Sequence, residues 1–164
     1  MNRLILLFLS VGLLALSVAK AADAPDVKLE QTVVKMQLEE GISMDEAIDS
    51  MKLRANIHNM GLVAELPLSK QVEAMGRDAR RMEIFQFCDP LTAQRMVEEN
   101  IHFAAYLPCR IALVEDEDGQ GWLVMMNLDM MLQSTTLSEE LKTEATRVRD
   151  ALMDIMQAGA QGAL

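Results

Sequence analysis

Residues that carry chemistry are few in this chain. Two histidines, two cysteines and one tyrosine stand among 164 residues. No Cys-x-x-Cys pair, zinc-protease helix or glycine-rich phosphate loop occurs, which removes thioredoxin-like, zincin and nucleotide-binding sites as readings. Aromatics make up only 4%, too few to interleave with basic residues as a base-stacking surface would need. Acidic residues outnumber basic ones 25 to 15, a net charge of −10. Such a surface repels a phosphate backbone, so nucleic acid is not expected as a partner. Solenoid repeats and low-complexity tracts are missing too, which argues against an array or a disordered chain.

What is present is aliphatic residue and an unusual amount of methionine, 14 in all. The length suits one domain with a core of its own. With aromatics scarce, methionine serves as a flexible core filler. Met44, Met51, Met75, Met96 and Met156 fall on apolar helical stripes.

Residues 1–21, MNRLILLFLSVGLLALSVAKA, have a positive start at Arg3, an apolar run and a small-x-small ending. This pattern predicts a cleaved signal peptide and a bacterial periplasmic or secreted location, with no membrane span left after cleavage. Residues 22–28 read as a linker, 29–158 as the domain and 159–164 as a frayed tail.

Within the domain, a β-branched stretch at Leu29–Leu38 reads as a strand. A helix follows from Ser43, where Ser43 and Glu46 form a capping box and Met44, Ala47, Ile48, Met51 and Ala55 make one stripe. A strand at Leu62–Leu68 precedes a helix capped by Ser69, with Val72, Met75 and Ala79 inward. MEIFQFC is a third strand ending at Cys88. Asp89 as N-cap and Pro90 at the first position then start a third helix. Two apolar runs around EDEDGQG read as a hairpin, and a long helix begins near Ser138 with a seam from Leu137 to Met156. The order β-α-β-α-β-α-β-β-α predicts an α+β domain, a mixed sheet of about five strands with helices packed on it.

FQFCDP followed by YLPCRIALVEDEDGQGWLVM resembles the bacterial domain of unknown function 302 family, whose members carry a Cys-Asn-Pro-like corner and a Leu-Pro-Cys turn entering a hairpin. The resemblance covers Leu29 to Met131. Asp89 stands where asparagine is common, keeping the capping role but setting a negative charge beside Cys88. The resemblance implies a small α/β fold and a homodimer, and brings no agreed activity.

Cys88 ends one strand and Cys109 begins the next. In an exported protein such a pair reads first as a disulfide, stabilising by roughly 3 kcal/mol on the chain-entropy model. Two other readings stay open. The pair is a reversible redox or sulfur-handling dithiol, or it joins His102, Met130 or Met131 as a site for copper or haem. A shallow pocket beside the corner, at Asp89, His102, Tyr106, Pro108 and Arg110, is the expected meeting place for an unknown protein or small-molecule ligand. The reading adopted is a noncatalytic accessory or binding domain. A Cys-His-Asp hydrolase lacks a nucleophile motif, and EDEDGQG lacks the spacing of a calcium loop.

Overall fold

The computed structural model describes residues 27–163. The expected signal peptide and most of the linker lie outside them. A short 3-10 turn, Leu29–Thr32, leads into β1 (Val33–Gln37), so the first strand is shorter than its β-branched stretch suggests. Then come α1 (Met44–Ile57), β2 (Gly61–Pro67), α2 (Leu68–Ala74), β3 (Met82–Cys88) and α3 (Pro90–Glu99). A second 3-10 turn (Ile101–Tyr106), β4 (Cys109–Glu115), β5 (Gly121–Met126), α4 (Leu128–Ser134) and α5 (Glu139–Gln161) complete the chain.

The class is α+β, as the element order implies, but the sheet is not mixed. Its strands run in the order β1-β5-β4-β3-β2, and each neighbouring pair is antiparallel. Strands β2 to β5 form a meander, and β1 joins its far edge beside β5. The difference arises because the helices between strands are not parallel crossovers. Helix α3 packs on α5 and the 3-10 turn Ile101–Tyr106 instead of covering the strands it joins.

Strand alternation sends Phe85, Phe87, Ile111, Leu113, Leu123 and Met125 to one face, where α1 and α5 bury them. Helix α1 is begun by the expected capping box: the Ser43 Oγ accepts from the Glu46 amide, and the Glu46 carboxylate accepts from the Ser43 amide. A smaller apolar cluster of Met96, Phe103, Leu141 and Ala145 forms where α3, the second 3-10 turn and the start of α5 meet. The domain therefore has two hydrophobic clusters and a seam between them.

Three local expectations are corrected. Ser69 does not cap α2, which already begins at Leu68 behind Pro67 and has no side-chain cap. Met75 is exposed, because α2 stops at Ala74 and Gly76 turns the chain away at a φ of +78°. The tail expected to fray is instead helical through Gln161, with Gly159 and Ala160 buried. At Gly159 helix α5 crosses α1 so closely that a Cβ would lie 2.6 Å from Met51 Cγ and 3.2 Å from the Ala47 carbonyl oxygen.

Candidate functional site

The seam between the two clusters is not filled. It holds a cavity with ≈ 30 Å³ open to water-sized occupants. Its floor is sheet and α1-side core, at Met60, Phe87 and Cys109. Ala93 and Met96 of α3, Phe103 and Tyr106 of the 3-10 turn, Met131 and Leu132 of α4, and Ala145 and Val148 of α5 supply the walls. Cys88 and Asp89 line it at the corner where β3 turns into α3. The lining is thus gathered from seven segments of the chain, from Met60 to Val148.

The lining is almost wholly apolar, and the oxygens of Asp89 and Thr92 on it are already engaged. Asp89 caps α3, accepting from the amides of Leu91 and Thr92 at 3.1 and 3.2 Å. It also accepts from Arg147 of α5. The Thr92 hydroxyl is shared between Asp89 and Glu144, each at 3.2 Å. Burial works against the Asp89 carboxylate, but hydrogen bonds from Arg147 and Thr92 outweigh it and hold its pKa below the usual value. Asp89 is therefore an ionised cap tied to α5.

Both cysteines are free thiols, so the expected disulfide is absent. The register gives the reason. Cys109 lies directly across from Phe87, with Cys88 one residue farther along β3, and neighbouring residues of a strand point to opposite faces. The two thiols are still near enough to influence each other. Burial, with a contribution from Cys88, pushes Cys109 up to about 11. Burial and the Asp89 charge push Cys88 up as well. Each is a protonated thiol at neutral pH, which sets the pair apart from activated cysteines.

The other expected site residues separate. His102 is exposed on the 3-10 turn and does not line the cavity; its amide is bound by the Asn100 side chain at 3.0 Å. Met130 points outward, whereas its neighbour Met131 lines the cavity. Arg110 lies on the opposite face of the sheet, in an open groove with Tyr106, Ile84 and Val124. Pro108 follows a cis bond from Leu107 and lines neither space. The Cys-His set is not assembled. Among the described residues no three or more His, Cys, Asp or Glu side chains cluster as a metal site would require. Sequence reasoning missed Met60 and Met96 as lining residues; the apolar stripe that contains Met96 looks like ordinary core, and Met60 stands in the short connection between α1 and β2.

This arrangement can be compared with known proteins. The model of a domain of unknown function, DUF302, matches residues 34–159. The chain belongs to the DUF302 family. Among solved structures, the crystal structure of an uncharacterized conserved DUF302 protein from Bacillus stearothermophilus superposes with a TM-score of 0.65. The two are 19% identical, and the match covers 77% of this chain and 97% of that one. At that identity the likeness shows the shared fold. No curated protein matches the chain.

Proposed function

We propose that this DUF302 domain is an exported, noncatalytic binding domain whose ligand occupies the seam cavity. The cavity itself carries the reading: an apolar-lined space left between two clusters, in a domain whose α1–α5 crossing is packed so closely that Gly159 has no room for a Cβ. Close-packed interiors leave few such voids. Its size limits the guest. Holding a water takes about 10–15 Å³ by this measure, so there is room for one or two small atoms and not for a haem macrocycle. Its lining favours an apolar guest over water, since most of it is hydrocarbon and the Asp89 and Thr92 oxygens are already hydrogen-bonded.

The noncatalytic part of the proposal rests on proton states. Neither thiol is lowered toward a thiolate, and no histidine lines the cavity to act as its base. Export rests on the signal-like pattern of residues 1–21.

Xenon, an apolar atom of suitable size, tests the site. In protein labelled with ¹³C at the methionine methyls, xenon is expected to move the signals of Met60, Met96 and Met131. Those of Met75, Met82 and Met126, exposed elsewhere, should stay in place. Uniform or absent shifts would remove the cavity as a binding site.

A further inference from the structure

We propose that the outer face of the sheet carries a second site, a groove for one small anionic amphiphile with its head on Arg110 and its tail over Ala112. The site does not depend on the seam cavity. In an antiparallel sheet packed on one face, the outward positions are expected to be polar. Here many are apolar. Alternation carries Val33, Ile84, Ala112, Val124 and Met126 to the face opposite α1 and α5. With Tyr106 and Arg110 they line a groove with ≈ 420 Å³ open to water-sized occupants, against ≈ 30 Å³ in the seam.

Side-chain size shapes the groove. Ala112 lies directly across from Ile84 on one side and Val124 on the other, so a lone methyl sits between two branched side chains. The resulting trough crosses the strands from β3 to β1, about 14 Å at ordinary strand spacing. Small-molecule sites are mostly apolar clefts of about this size, oriented by a few polar groups.

Charge selects the occupant. Arg54, Arg81, Arg95, Arg147 and Arg149 each pair with a carboxylate. Arg110 pairs with none among the described residues, and no carboxylate lines the groove. Lys35, a second cation on this face, lies over the Trp122 ring at 3.5 Å. A chain of net charge −10 thus keeps an unpaired guanidinium in an apolar groove. The planar fork of that group matches a carboxylate or phosphate head with two parallel hydrogen bonds. A second copy of the chain fits worse. Pairing face to face across a twofold axis repeats one surface, and both Arg110 side chains would be covered by a groove that offers no counter-charge.

The test titrates protein labelled with ¹³C at the methionine methyls with decanoate, below its micelle concentration. The Met126 methyl is expected to shift saturably, while those of Met60 and Met96 in the seam stay in place. Uncharged decanol should bind at least tenfold more weakly, and acetate, a head without a tail, should leave Met126 unmoved. Arg110→Gln should lower decanoate affinity at least tenfold without changing that of decanol. Ala112→Leu, which fills the trough, should weaken both, and it tests the site independently should the first variant fold poorly. Equal affinity for decanoate and decanol, or decanoate binding that survives either substitution, overturns the proposal. A ligand-free dimer in sedimentation that Ala112→Leu disperses would assign the face to a second copy. Flotation with phosphatidylglycerol vesicles in the absence of decanoate binding would assign it to a membrane surface. Either result overturns it too.

Discussion

Cys109 shows how environment decides the chemistry of a side chain. Its thiol pKa of about 11 against an ordinary 9.0 means a thiolate population about a hundredfold smaller at neutral pH. Iodoacetamide is therefore expected to label Cys88 well before Cys109 at pH 8, with mass spectrometry reading the order; equal rates would contradict the burial described. The same shift links to stability. The folded state holds this proton more tightly than the unfolded chain, so its contribution is intact below pH 9 and is lost as pH rises through about 11. Denaturant midpoints should fall over that window in wild type, and fall less in Cys109→Ala.

Asp89 carries the opposite sign. Its lowered pKa gives stability that is present above the ordinary carboxylate value and is lost as pH falls through the folded value. Asp89→Ala removes the α3 cap and strands Arg147, and should cost about 1–2 kcal/mol by chemical denaturation. Asp89→Asn keeps a capping oxygen and should cost less. Both roles of this residue begin in the tetrapeptide CDPL, but only the capping one is visible there. The partner Arg147 lies 58 positions away.

Elements whose ends are chosen by local chemistry were legible in the sequence. Ser43, Asp89 and Ser138 cap α1, α3 and α5 as their spacing implies, because a cap is a contact within three residues. The end of α5 was not legible. QAGAQGAL is poor in large apolar residues and looks like a fraying tail, yet small size is what the close crossing with α1 demands. Gly159→Ala would gain intrinsic helix propensity of about 1 kcal/mol. The new methyl must displace Met51 and Leu123, and overpacking of this kind costs about 1–3 kcal/mol. A lower melting temperature for Gly159→Ala is the expected outcome; a higher one would mean that the helices separate easily.

Across the whole molecule, class and family could be read from the strand and helix order and from the FCDP and LPCR corners. Strand direction could not, because a strand-helix-strand stretch is compatible with either a parallel crossover or an antiparallel return. That one ambiguity carried the disulfide with it. An α3 laid over the sheet would have let Cys88 and Cys109 meet, whereas the antiparallel register offsets them by one residue. The same displacement of α3 beyond the strands creates the second cluster, and with it the seam. The sulfur-lined cavity is thus a product of topology, and no local pattern announces it.

The most direct test of this account is a crystal structure of the reduced protein under xenon pressure. The account predicts one ordered xenon atom between Phe87, Met96 and Ala145, lost in Ala93→Leu, which fills the space from α3. No xenon there, with sites only on the surface, would contradict it.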